Sequence, residues 1–315
     1  MNAIAAKPLC AALAGLALAL AAETAAAAAF PVNNTNDAGA GSLRQALLDA
    51  NTSAGQDVIQ FAIPGAGPHV IAPLSPLPAL TERVPIDGFS QAGASCGAWP
   101  PDLRIVLDGS SAGAGADGIR LTVGADLSTV RGLVIHSFAG HGIHVETPEE
   151  VNIRCNLIGT DATGTVALGN DEGVRLVGSV NSTVGGELLS HRNLISGNAI
   201  GVRLASGCPQ SELIGNYIGT DVTGSSALPN EYGVYVQSAD TTIGGIGVSA
   251  GNLISGNTLF GIVLTTGASG TLVFANRIGT DAAASRCWAT ARVSSWAAAP
   301  RTARSEPWCS MAWRT

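Results

Sequence analysis

Six tetrapeptides hold the residues best suited to grip a charged ligand. They are Gly118-Ile119-Arg120-Leu121, Gly142-Ile143-His144-Val145, Gly173-Val174-Arg175-Leu176, Gly201-Val202-Arg203-Leu204, Gly233-Val234-Tyr235-Val236 and Gly261-Ile262-Val263-Leu264. Apolar residues flank a variable third position, which is β-strand periodicity with Val/Ile enrichment. With the flanking side chains turned inward, Arg120, His144, Arg175, Arg203, Tyr235 and Val263 point outward on one sheet. Arginines pair carboxylates bidentately, and a tyrosine offers a ring face to sugar. The first five residues therefore form the expected binding ribbon, and its ligand is a linear anionic glycan. Stacked like charges repel, so the alternative is a solvated face neutralised locally by Asp117, Glu172 or Glu231.

A second series, Asp161, Asp221 and Asp281, invites a calcium site. Asn198 and Asn257 occupy the equivalent place in the intervening units, however, giving a column Asp-Asn-Asp-Asn-Asp. Calcium needs six to eight oxygens converging on one point, and amides between the carboxylates serve better as hydrogen-bond donors. Neither Cys-x-x-Cys nor Cys-His spacing appears, so zinc finds no motif. No metal, cofactor or catalytic residue is assigned from the sequence.

The elements that position these residues follow from repetition. Asn156-Leu157-Ile158-Gly159-Thr160-Asp161 returns as Asn216-Tyr217-Ile218-Gly219-Thr220-Asp221 and as Asn276-Arg277-Ile278-Gly279-Thr280-Asp281. Between them stand Asn193-Leu194-Ile195-Ser196-Gly197-Asn198 and Asn252-Leu253-Ile254-Ser255-Gly256-Asn257. From Asn to Asn the steps are 37, 23, 36 and 24 residues, a long unit alternating with a short one. Units this short cannot enclose a core alone and must stack on their neighbours. No sustained helical period interrupts them. The expected fold is all-β, a right-handed parallel β-helix (a solenoid), with strands from about residue 58 to 285. Its five asparagines form one ladder along the rod. Glycine ahead of each strand suits a bend. The long units differ by insertions at 161–170 and 221–230, which are expected to protrude two coils apart and to wall a groove.

The ends read differently. Lys7, an apolar run from Leu9 to Ala22 and alanines up to Ala29 form a secretory signal peptide over 1–29, cleaved before Phe30. Residues 30–110 form an N-terminal cap and irregular first coils, and 111–285 the regular repeats. In the cap, Ser42 begins a short helix, with Gln45 at capping-box spacing and Leu43, Ala46, Leu47 and Ala50 on one face. It is expected to cover the open end of the stack. Without Cys10 and the tail pair Cys287 and Cys309, the odd number Cys96, Cys155 and Cys208 permits one disulfide. A net charge of −7 excludes nucleic acid, and no membrane span is expected after signal removal. A monomer is expected.

Gly41-Ser42-Leu43-Arg44-Gln45-Ala46 is similar to the Cys-Ser-Leu-Arg-Glu-Ala element of bacterial secreted right-handed parallel β-helix repeat proteins, with Gly41 and Gln45 replacing two of its letters. Over residues 32–285 the chain resembles that family, which has the pectin-lyase-like fold. The resemblance implies fold more than function, because the fold hosts lyases, hydrolases and adhesins. Gly140-His141-Gly142 matches a polygalacturonase motif, but the accompanying acidic pair and Arg-Ile-Lys element are missing; Arg277-Ile278 runs into Gly279. His141 is therefore expected to be a turn residue, with catalysis the alternative.

Residues 286–315 break the pattern. Any codons for Cys287-Trp288-Ala289 encode Leu-Gly in a shifted frame, as in Leu168-Gly169, which predicts a one-base frameshift near codon 286 and an aberrant tail without regular packing. The sequence thus describes a secreted or cell-surface scaffold or binding module for extracellular or cell-envelope polysaccharide. The alternatives are a polysaccharide lyase or glycoside hydrolase, and a truncated, nonfunctional fragment of a larger surface protein.

Overall fold

The computed structural model describes residues 27–288 and 293–295. Its strands form three sheets of nine, eight and seven strands, paired in parallel, and among the described residues there is a single α-helix. The first sheet runs from Ala29–Val32 to Leu272–Val273, the second from His69–Ile71 to Arg277–Ile278 and the third from Ile119–Leu121 to Val293–Ser295. The chain visits the three sheets in rotation. Asn152–Arg154, Leu157–Ile158 and Glu172–Val177 make one circuit, each strand lying beside its counterpart from the circuit before. The inner faces meet in a continuous aliphatic core. Ile153, Ile158, Val174 and Leu176 contribute one layer of it, none more than 1% exposed. Among the described residues no helix is long and apolar enough to cross a membrane.

Pairing starts earlier than expected: Ala29–Val32 already pairs with Val58–Phe61. The helix Leu43–Ala50 packs against these two strands. Ser42 Oγ caps it by accepting the Gln45 amide hydrogen, and Leu43, Ala46, Leu47 and Ala50 face the core, as their spacing predicts. Gln45 donates to Asp49 rather than back to the cap, so only half of a capping box forms.

The asparagine ladder forms as expected. Asn156, Asn193, Asn216 and Asn252 each donate through Nδ2 to Oδ1 of the next, ending on Asn276. The expected Asp-Asn column does not. A second ladder instead joins Asn170, Asn198, Asn230 and Asn257. The inserted loops carry Asp161 and Asp221 out of the stack and return Asn170 and Asn230 to it. Asp161 instead closes its own loop, accepting the amides of Thr165 and Val166, and Asp221 does the same for Ser225 and Ser226.

These loops wall no groove. The short circuit between them leaves a gap, and the loop tips meet across it: the Val222 amide donates to Gly164 O at 2.9 Å, and Ala282 to Gly224 O. They form one ridge. The glycines of the tetrapeptides are also required for a different reason from the expected bend. All but Gly118 lie within the strands, and a Cβ on Gly173 would stand 2.6 Å from Gly201 O and 2.7 Å from Ile195 Cγ2. Close approach of successive circuits excludes a side chain there.

A strap over residues 88–104, unforeseen in the sequence, covers the outer face of the second sheet. Cys96 forms a disulfide with Cys155, leaving buried Cys208 as a free thiol. Trp99 Nε1 donates to Val222 O, and the Arg192 guanidinium lies over the rings of both Trp99 and Tyr217. Beneath the strap, outward Leu157 and Leu194 join Leu103, Val106 and Val134 in a second apolar cluster.

The tail does not leave the rod at residue 286. Cys287 bridges Thr280 as Ala167 bridges Thr160, and Val293–Ser295 pairs with Phe260–Leu264, placing Val293 beside Ile262. The expected signal peptide falls mostly, and the remainder of the tail entirely, outside the described residues.

Candidate functional site

The outer face of the third sheet gathers the predicted ribbon. Register pairs Arg120 with His144, His144 with Arg175, Arg175 with Arg203, Arg203 with Tyr235 and Tyr235 with Val263, one circuit at a time. The geometry of the column matches the expectation. Its solvation does not, because the side chains are engaged with one another. Arg120 pairs with Glu146. Arg203 donates through Nε to Glu172 Oε1 at 2.6 Å, and Arg175 Nη1 lies 3.5 Å from Glu172 Oε2. His144 Nδ1 lies 3.0 Å from Asp117 Oδ2. Glu231 makes no ion pair among the described residues. Two of the three acids expected nearby thus neutralise the ribbon, and Glu146 is an unforeseen third.

A second outward column, unrecognised in the sequence, runs beside the first. It consists of the residue before each tetrapeptide glycine: Asp117, His141, Glu172, Ile200, Tyr232 and Phe260. His141 pairs with Glu172, Glu172 with Ile200, Ile200 with Tyr232 and Tyr232 with Phe260. The column was legible once the tetrapeptides were extended by one residue. Its first half is ionisable and its second half apolar or aromatic. Tyr232 stacks on Phe260 with ring centroids 6.0 Å apart and meets Tyr235 edge-on. Arg203 lies over the Tyr235 ring.

The ionisable half is compact. Asp117 Oδ1 accepts the His141 amide at 2.8 Å and faces His141 Nδ1 at 2.6 Å. His141 is therefore the first residue of a strand and the partner of an aspartate, not a turn residue. Both glycines around it have a spatial cause. A Cβ on Gly140 would lie 2.5 Å from Asp117 Oδ1, and one on Gly142 would lie 2.7 Å from Gly173 O. The imidazoles of His141 and His144 lie 4.5 Å apart, and His141 Nε2 reaches to 3.7 Å from Glu172 Oε2. Glu172 is nearly fully buried.

Burial acts to raise the Asp117 carboxyl. Hydrogen bonds from the two imidazoles and the His141 amide outweigh it and hold the group far below the usual carboxylate range. Arg120 likewise lowers Glu146. Because the folded value of Asp117 is depressed, the unfolded chain takes up that proton first, near the ordinary value of about 3.9. Asp117 therefore stabilises the fold above that pH, and the contribution is lost as pH falls toward the folded value. Asp117→Asn is expected to flatten the fall in thermal midpoint between about pH 5 and pH 2. An unchanged acid slope would show that the clamp adds no stability.

The face is an open surface. Two cavities of about 440 and 460 Å³ lie elsewhere, one beside Asp126 and Glu149, the other beside the disulfide and lined by Arg131, Arg154 and His191. No protein-family model matches the chain, and no curated protein does.

Proposed function

We propose that this chain is a secreted or cell-surface right-handed parallel β-helix of the pectin-lyase-like fold that binds polysaccharide along the outer face of its third sheet. The observation that carries the reading is the contiguous aromatic set Tyr232, Tyr235 and Phe260 set in line with hydrogen-bonding side chains at one-circuit spacing. The three rings offer apolar surface and the two tyrosines add hydroxyl ends, a combination that suits sugar. Six rows at ~4.8 Å spacing extend roughly 24 Å, the footprint of a polymer on an open face rather than of a small molecule in a cleft. The disulfide favours an oxidising compartment and so supports export.

Charge on this face is balanced: Arg120, Arg175 and Arg203 stand against Asp117, Glu146 and Glu172. Recognition then rests on ring contact and hydrogen bonding more than on bare cations. Tyr232→Ala and Tyr235→Ala are each expected to weaken polysaccharide binding about fivefold, from about 1 kcal/mol per ring. Salt should have little effect, because the charges already have local partners. Calorimetry against a panel of neutral and acidic polysaccharides tests this. Binding that ignores both tyrosines, or that collapses with salt, would remove the ring platform. The double replacement of Arg175 and Arg203 is a poor probe, since it strands the buried Glu172 carboxylate.

A lyase or glycoside hydrolase is the second reading, favoured by a compact acid–histidine cluster that does not repeat among the described residues: Asp117, His141, His144 and Glu172. A reducing-sugar and unsaturated-product screen separates the two readings. Turnover abolished by Glu172→Gln would establish the enzyme.

A further inference from the structure

We propose that His141 and His144 bind one divalent transition-metal ion of the zinc or copper type, with Glu172 as the carboxylate facing it from the next circuit and Asp117 as the outer carboxylate that orients both rings. The site stands on the cluster's own geometry and does not depend on polysaccharide binding. One ligand atom from each of Asp117, His141 and His144 lies within 4.8 Å of the others. Zinc bonds nitrogen and oxygen at about 2.0–2.2 Å, so tetrahedral ligand atoms stand about 3.3 Å apart. A side-chain adjustment closes the set. Two imidazoles with carboxylates suit zinc or copper, whereas calcium and magnesium prefer oxygen throughout.

The second observation is two buried polar atoms without a hydrogen bond, one of which, Glu172 Oε2, has Arg175 Nη1 only as an ion-pair neighbour at 3.5 Å. His144 Nε2 and Glu172 Oε2 are buried and have no protein hydrogen-bond partner. Glu172 as a whole is only 4% exposed. A neutral His141 that donates Nδ1–H to Asp117 turns the lone pair of its Nε2 toward Glu172 Oε2, 3.7 Å away. Two acceptors then face each other in a buried place, where unpaired polar atoms are disfavoured. A cation between them removes the conflict. The Asp117 carboxylate against both Nδ1 atoms fixes the tautomers and raises the basicity of the rings, as outer carboxylates do at metal-bound histidines. The two histidines stand three residues apart on one strand, but Asp117 and Glu172 come from the circuits on either side, so the full set is not visible along the chain.

A proton shared between His141 and Glu172 is the rival account, and metal titration separates the two. The protein, made without a polyhistidine tag and stripped with chelator, is titrated near neutral pH with zinc chloride against a fluorescent zinc chelator. One equivalent is expected to bind with micromolar affinity or better. His141→Ala and His144→Ala should each weaken it by roughly 100-fold and Asp117→Asn by roughly 10- to 100-fold. His69→Ala, remote from the cluster, should leave it unchanged. Circular dichroism checks that each variant keeps its β signal, and Asp117→Asn conserves shape should a histidine variant unfold. Less than one equivalent in the parent, unchanged affinity in Asp117→Asn, or displacement of zinc by equimolar calcium would each overturn the assignment. Because the probe is the metal alone, that failure would leave the polysaccharide reading to its own test.

Discussion

Asn193→Ala is expected to destabilise the protein by about 3–5 kcal/mol, among the largest effects of any single side-chain truncation in the rod. Asn193 is fully buried. Its Nδ2 donates to Ile153 O and to Asn216 Oδ1, and its Oδ1 accepts from both the backbone amide and Nδ2 of Asn156. Truncation leaves several of these groups without partners, each orphan costing about 1–3 kcal/mol. Relaxation and entering water recover part of that. Asn276→Ala, at the end of the ladder and only partly buried, removes as many side-chain bonds but leaves their partners nearer water, and should cost about 1–2 kcal/mol. Denaturant midpoints of the two variants make the comparison. Equal losses would show that position in the ladder is irrelevant and that each amide acts alone.

Removing the Cys96–Cys155 bond is the second large effect. The cysteines are 59 residues apart in sequence, and closing a loop of that size restricts the unfolded chain by about 4 kcal/mol in the chain-entropy model. Cys96→Ser should therefore lower stability by about 3–4 kcal/mol. The strap should loosen with it, since Trp99 reaches Val222 and Arg192 from the same segment. Reducing agent should produce at least this loss in the parent. A midpoint that moves by less than a tenth of this estimate would mean that Trp99 and the apolar cluster beneath it hold the strap unaided.

Much of this architecture is visible in the residues themselves. The Asn-x-Ile-Gly-Thr-Asp repeat predicts one ladder, and Asn156 to Asn276 form it. The spacing of Leu43, Ala46, Leu47 and Ala50 predicts the buried face of the helix. What failed was register across insertions. Asp161 and Asn198 occupy the same place in an alignment of units, yet the inserted loop returns Asn170 to the stack instead. The strap was illegible because its partners, Cys155 and Val222, are distant in sequence and belong to different circuits. The ribbon was read correctly as a column and incompletely as an environment. Strand alternation says which way Arg175 and Arg203 point, but not that both close on Glu172, whose burial depends on its neighbours above and below.

The ladders also give the rod an electrical direction. From Asn156 to Asn252, and from Asn170 to Asn230, each amide sends one proton to the next asparagine and the other to a carbonyl of the circuit before. The Oδ1 atoms from Asn193 to Asn276 and from Asn198 to Asn257 all face back toward the preceding asparagine. Side-chain dipoles that would cancel if they alternated instead add, in the manner of peptide dipoles along a helix. Each polarises the next in a medium of low dielectric. The end of the rod near Asn276 is therefore its positive pole, and the end near Asn156 its negative one. Two such rods laid side by side are favoured antiparallel and disfavoured parallel, while end-to-end stacking is favoured only head to tail.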